Sequence, residues 1–180
     1  MAITEAHIRT TLTAYLDEHP DEKPELAQAF ELLDTGADLT SRKEFRGHAT
    51  AGAILADPVG RILHIHHLAL DKWLLPGGHL EPADDALLEA ALRELTEETG
   101  IPADAVTAVG HRPVHIDIHP IPANEAKGEA AHQHIDFRFL FRTTTDIGQL
   151  QTEEVTDASW RLLDTLSDER LRHRAADALC

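Results

Sequence analysis

Apolar residues recur along this chain with two different periods, and the change of period divides it. Over the first 35 residues the spacing is helical. Ile8, Leu12, Tyr15 and Leu16 share one face, with Thr4 placed to cap the start. Pro20 and Asp21 interrupt the pattern. Pro24 suits a first helical turn, and Leu26, Phe30 and Leu33 form a second stripe that ends near Gly36. Each helix is apolar on one side only, so the pair must bury that side in the core or against a second copy, which leaves a homodimer open. The polar run from Asp38 to Glu44 reads as a linker.

From His48 the period shortens. HATAGAILA predicts a strand, DPVG a turn and RILHIHHLAL a second strand. WLLPGGHLEP predicts a short extended piece that breaks into a glycine turn. DDALLEAALRELTEETG is the clearest helix, with Leu88, Ala91, Leu92 and Leu95 as its buried stripe and Gly100 as its stop. RPVHIDIHPI and HQHIDFRFLF alternate strictly and are separated by a loop containing Pro, Gly and Glu. An acidic stretch from Gln151 to Asp157 leads to a strand near Ser159 to Leu162, and a last helix runs from about Asp164 to Leu179. Helices flanking a mixed sheet make an α/β (α+β) fold, expected in two parts: a helical extension over residues 1–44 and a main domain over 45–180.

Charge narrows the choice of partners. The chain has 16 basic and 32 acidic residues, a net charge of −16 with histidines neutral. Such a field repels phosphate backbones and anionic lipid, which argues against nucleic acid polymers and membrane surfaces. A phosphorylated small molecule needs a local inversion of sign, which a bound divalent cation supplies. The one cysteine, Cys180, has no partner for an internal disulfide and reads as an incidental surface thiol. No basic segment followed by an apolar run opens the chain, and no apolar stretch is long enough for a bilayer, so a cytoplasmic protein is expected.

The sharpest feature is the run from Gly77 to Ile101. Glu94, Glu97 and Glu98 stand at i, i+3 and i+4, which places three carboxylates on one helix face. Like charges so close disfavour one another, and a hard divalent cation reverses that interaction. Oxygen-only ligands favour Mg²⁺ or Mn²⁺, and Mg²⁺ keeps substrate phosphates in its shell. Gly77 and Gly78 let the backbone come close to a ligand or metal. Arg93, four residues before Glu97, is placed to hold that carboxylate across one turn.

PGGHLEP followed by AALRELTEETGI strongly resembles the Nudix box: Gly78, Arg93, Glu94, Leu95, Glu97, Glu98, Gly100 and Ile101 fall on its pattern. The resemblance implies a Nudix-type α/β/α sandwich with a mixed sheet, over roughly His48 to Leu166, with the two-helix extension added in front. It also implies a metal-dependent hydrolase cleaving a diphosphate linkage in a nucleoside diphosphate derivative or similar small molecule. Glu94, Glu97, Glu98 and Arg93 would then carry catalysis. The metal would be held by the three glutamates and a carbonyl oxygen of Gly77 or Gly78. The interval from Gly78 to Arg93 is one residue longer than usual, and an aspartate replaces the early glutamate; counting forward makes it Asp84, counting back Asp85. Either aspartate also suits a helix N-cap. Two other activities share the fold. An isomerase resembling isopentenyl diphosphate isomerase needs a cysteine in the box region, absent here, and ligand-sensing Nudix domains often lose box glutamates that this chain keeps.

Histidine is over-used, at 13 residues. His115, Asp117 and His119 share one face of their segment, and His132, His134, Asp136 and Arg138 share one face of theirs. If both point the same way they make a floor suited to reading a base or sugar, gripping a phosphate through Arg138, or binding another metal. His64, His66 and His67 read as a polar strand face near a sheet edge, and Trp73 as a packed aromatic. Glu153 and Glu154 lie where some Nudix proteins supply an extra acid from a loop.

Overall fold

The computed structural model describes residues 2–125, 128–150 and 153–179, so Cys180 and the start of the acidic stretch at Gln151 lie outside the described part. Helix α1 (Glu5–Glu18) begins where expected, because the Thr4 side chain accepts a hydrogen bond from the His7 N–H. A short 3₁₀ turn leads to α2 (Lys23–Asp34), which has Pro24 in its first turn. The segment read as a linker is not wholly polar in its packing. Leu39 is fully buried, and its carbonyl accepts the Ala49 N–H at 2.8 Å.

Among the described residues one mixed sheet of eight strands forms the centre: β1 (His48–Ala56), β2 (Ile62–His67), β3 (Lys72–Leu74), β4 (Gly77–His79), β5 (Val106–Ala108), β6 (His115–Ile121), β7 (His132–Thr143) and β8 (Val155–Arg161). The long β1 and β7 run parallel, with His48 opposite His134 and Gly52 opposite Arg138. β6 lies antiparallel on the other side of β7, and β4 antiparallel to β1. The glycine turn is therefore a short strand, because Gly77 and Gly78 pair with Gly52 and Ala51.

Helix α3 (Leu87–Thr99) crosses one face of β1. Its buried residues are Leu87, Ala90, Ala91, Leu95, Glu98 and Thr99, so the stripe is rotated from the expected one, and Leu88 and Leu92 are only partly buried. The rotation turns the carboxylate side toward β4. Facing α3, Ala49, Ala51 and Ala53 of β1 leave room for the helix, and Ile135, Phe137, Phe139 and Phe141 of β7 fill the space beside it. Residues of α1 and α2, including Ile8, Leu12, Tyr15, Leu26 and Leu33, belong to this same core.

The opposite face carries a second cluster: Ile54, Ile62 and Leu140 of the sheet with Leu166 and with Leu171 of α4 (Glu169–Leu179). The last helix starts later than expected, because a 3₁₀ turn at Leu163–Thr165 comes first. Around the β6 edge a polar cluster joins both helical layers. The Tyr15 hydroxyl donates to Glu22 Oε2 at 2.6 Å, and Arg174 of α4 reaches both Glu22 and Tyr15. Burial alone would raise Glu22, but hydrogen bonds from Arg174 and Tyr15 outweigh it and hold the carboxyl below its usual range. No helix among the described residues is long and apolar enough to cross a membrane.

Candidate active site

The site begins with two close approaches. A Cβ on Gly77 would stand 2.7 Å from Gly52 Cα and 2.8 Å from the Ala51 carbonyl oxygen, so only glycine lets β4 lie this near β1. A Cβ on Gly78 would stand 2.6 Å from Glu94 Oε1. The glycines thus bring backbone against the helix carboxylates. The Gly77 N–H donates to Glu98 Oε2 at 2.9 Å, which anchors that side chain beneath the strand.

Arg93 organises the rest. Its guanidinium forks onto Asp84 at 2.9 and 3.0 Å, and donates to Glu94 Oε1 at 3.1 Å, Glu97 Oε2 at 3.0 Å and the His79 carbonyl at 2.9 Å. The expected link to Glu97 is present, but the buried anchor is Asp84, 5% exposed. Asp84 also accepts the Glu81 N–H at 2.8 Å, which closes the loop before α3. It is not an N-cap, and neither is Asp85: the cap position is Ala86, with no side-chain cap bond. The inserted residue is absorbed in this loop, and Arg93 meets the aspartate reached by counting forward.

Of the three box glutamates, Glu98 is 3% exposed and the Glu94 side chain 14%, while the Glu97 side chain is half exposed. Burial pushes Glu98 up to about 8, against the Gly77 hydrogen bond, and the charges of Glu94 and Glu154 add to the rise. Burial likewise pushes Glu94 up to about 7, against the pull of Arg93. Two desolvated carboxyls, each raised first by burial and further by neighbouring carboxylates, are the donor chemistry that a hard divalent cation relieves. The residues present fit such an ion. Glu154, the loop acid noted in the sequence, lies close enough to act on both.

The histidine strands form one surface. Across β1, β7 and β6 the rows are His48, His134 and His119; Thr50, Asp136 and Asp117; then Gly52, Arg138 and His115. These rows alternate with the apolar residues facing α3, so the floor lies on the other side of the sheet. Arg138 is held by Asp136 at 2.9 Å and Asp117 at 3.2 Å, and His119 Nδ1 lies 2.8 Å from Asp117. His115 and His132 are buried rather than solvent-facing. Burial also claims His64, which had read as part of a polar edge face, whereas His66 meets Trp73 edge-on and Arg161 covers the Trp73 ring at 3.9 Å. His48 and His79 join the floor without having been singled out in the sequence, since nothing in their spacing pairs them with β7.

The NUDIX domain model matches residues 46–180. The chain belongs to the NUDIX domain family. A probable DHNTP pyrophosphohydrolase of Lactococcus lactis subsp. cremoris (strain MG1363) is 40% identical over 80 residues, covering 44% of this chain and 45% of the relative. An RNA pyrophosphohydrolase of Dinoroseobacter shibae is 31% identical over 125 residues, covering 64% of this chain and 76% of the relative. The chain thus spans less than half the length of the first of these curated NUDIX relatives. The fold is shared with the E. coli dihydroneopterin triphosphate pyrophosphohydrolase, at a TM-score of 0.55 and 16% identity over 72% of this chain and 92% of that one.

Proposed function

We propose that this NUDIX chain is a Mg²⁺-dependent hydrolase, with Mn²⁺ as an alternative ion, that cleaves a diphosphate linkage in a nucleoside diphosphate derivative or similar small molecule. The observation that carries this reading is the burial of Glu94 and Glu98 against the Gly77–Gly78 strand, with Arg93 fixing Glu94 and Glu97. When bound, the cation lowers the pKa of a coordinated water and neutralises charge on the phosphoryl oxygens. The protein's own part is to hold the carboxylates. Glu94, Glu97 and Glu98, with a carbonyl oxygen of Gly77 or Gly78, are the ligand set, and Arg93, locked by Asp84, is a positioning residue. Asp117, His119, His134, Asp136 and Arg138 form the surface to which the rest of the substrate is assigned, with His115 and His132 buried behind it in supporting positions. Arg138 supplies its fixed positive charge.

The names of the relatives support phosphoanhydride chemistry and favour neither the isomerase nor the ligand-sensing alternative. A cytoplasmic location and assembly as a homodimer complete the proposal. Its test is a panel of dinucleoside polyphosphates, nucleotide sugars, modified nucleoside triphosphates and biosynthetic diphosphates incubated with Mg²⁺. At least one is expected to give two phosphorylated products, or a phosphorylated product and free phosphate or diphosphate, and none should react in chelator. Turnover of the whole panel at background rate would count against the reading.

A further inference from the structure

Among the described residues, the donors that converge on one point are histidines. His48, His79 and His134 each bring a ligand atom within 4.8 Å of the other two. Their rings stand 4.9 to 5.3 Å apart, centroid to centroid. They come from three neighbouring strands: β1 lies between β4 and β7, and the register puts all three on the floor side of the sheet. No step of the proposed hydrolysis uses His48 or His79.

A second observation points to a ligand there. His48 is 1% exposed, with Nδ1 3.2 Å from the Glu44 carbonyl oxygen. Donation from Nδ1 leaves Nε2 as a lone pair, and that atom is buried with no hydrogen-bond partner. An orphaned imidazole nitrogen inside a protein is costly unless something accepts its lone pair. A ligating histidine whose other nitrogen donates to a backbone carbonyl is the usual arrangement around a metal ion. His134 has a comparable support, since His132 Nε2 lies 3.2 Å from its own Nε2 while His132 Nδ1 lies 2.7 Å from the Ala130 carbonyl.

We propose that His48, His79 and His134 form a binding site for a divalent transition-metal ion, zinc foremost, separate from the glutamate site and leaving one coordination position open. Imidazole nitrogen selects borderline ions such as Zn²⁺, Co²⁺ and Ni²⁺, whereas Mg²⁺ takes oxygen, so the two sites differ in the metal they accept. Tetrahedral zinc with bonds of about 2.0–2.1 Å places its nitrogens about 3.3 Å apart, and modest rotation of the three rings closes the present cluster to that distance. Three protein ligands leave a fourth position for water or an anionic group of a bound molecule. The two sites are tied through one strand, because Gly78 faces Glu94 while the next residue supplies the His79 ligand. This inference stands independently of the hydrolytic reading.

The test is metal binding, not turnover. The 180-residue chain, stripped by chelator, is titrated with Zn²⁺ against a chromophoric competitor and, separately, with Co²⁺ while its visible spectrum is recorded. Wild type and Glu98→Gln are expected to bind one Zn²⁺ per chain at this site with the same affinity. Co²⁺ should give the intense visible bands of four-coordinate geometry. His134→Gln and His79→Gln, checked for folding by circular dichroism, should bind Zn²⁺ at least about tenfold more weakly. Absence of stoichiometric Zn²⁺ binding, an octahedral Co²⁺ spectrum, or affinity that falls in Glu98→Gln but not in folded His134→Gln would overturn the site. The Co²⁺ spectrum of wild type decides the matter if the variants do not fold.

Discussion

Gly77 and Gly78 are neighbours with different duties. A methyl on Gly77 meets backbone, the Gly52 Cα and the Ala51 carbonyl, which cannot move without breaking the β1–β4 pairing. Gly77→Ala is expected to cost about 1–3 kcal/mol of stability, seen as a lower urea midpoint. A methyl on Gly78 meets the free end of Glu94, which can swing away. Gly78→Ala is therefore expected to fold nearly normally and to lose activity, a split that parallel melting and rate measurements would reveal. Asp84 makes the third case. Removing it takes the two-pronged buried partner from Arg93, which keeps Glu94, Glu97 and the His79 carbonyl, so Asp84→Ala should lose about 1.5–3 kcal/mol in denaturant unfolding, more than the usual loss from a helix cap. The three glutamates were legible in the sequence because an i, i+3, i+4 spacing on a helix needs no knowledge of tertiary structure. The choice between Asp84 and Asp85 was not, because one inserted residue makes the forward and backward counts disagree by one, and only the fold of the loop shows on which side of the aspartate it falls. His48 and His134 are 86 positions apart in the chain, and only the parallel register of β1 with β7 brings them together.

At the scale of elements, helices and strands were readable wherever one face repeated, and their starts were readable where a cap marked them, as at Thr4. The exposed faces were harder. Alternation in β6 and β7 announced a polar side but not its burial, which comes from neighbouring strands and loops that the local pattern does not contain. The stripe of α3 was misplaced for a related reason: Glu98 and Thr99 are buried by β4 and the core, and polar residues are not counted as core by periodicity. The N-terminal helices show the largest gap. Their apolar stripes called for a partner, yet Glu22, the buried acid that secures them, carried no signal because its partner Arg174 lies in the last helix. Glu22→Ala leaves that guanidinium uncompensated and should cost about 3–5 kcal/mol, lowering the thermal midpoint by roughly 10 °C. A melt indistinguishable from wild type would show that the cluster does not fasten the two layers.

For the whole molecule, buried histidines and buried carboxyls pull the response to acid in opposite directions. Burial lowers the pKa of both His64 and His115, and neither the Asp168 and Asp117 charges near His115 nor the Ile62 carbonyl beside His64 reverses it. In the unfolded chain these groups bind protons as pH falls through about 6.5, while in the folded chain they remain neutral to lower pH. At these two positions the unfolded state then binds more protons, so their contribution to stability declines as pH drops below about 6.5. His119, raised first by its hydrogen bond to Asp117, acts in the opposite sense, as do Glu94 and Glu98, which burial raises to about 7 and about 8. Replacing His64 isolates its share: as pH drops from 7 to 5 the thermal midpoint of His64→Asn should gain on that of wild type, and a difference between the two that does not change with pH would contradict the burial argument.

The same molecule-wide charge of −16 makes a local cation the condition for handling an anionic substrate. The most direct measurement is product release from a substrate found in the panel, at varied Mg²⁺, for wild type and for Glu98→Gln. That variant keeps the side chain's size and an oxygen for the Gly77 N–H, and replaces the ionisable carboxyl by an amide that cannot become an anionic ligand. Mg²⁺-dependent turnover should fall by at least about a hundredfold with the fold intact by circular dichroism. Equal rates in the two proteins, or turnover indifferent to Mg²⁺, would contradict the account.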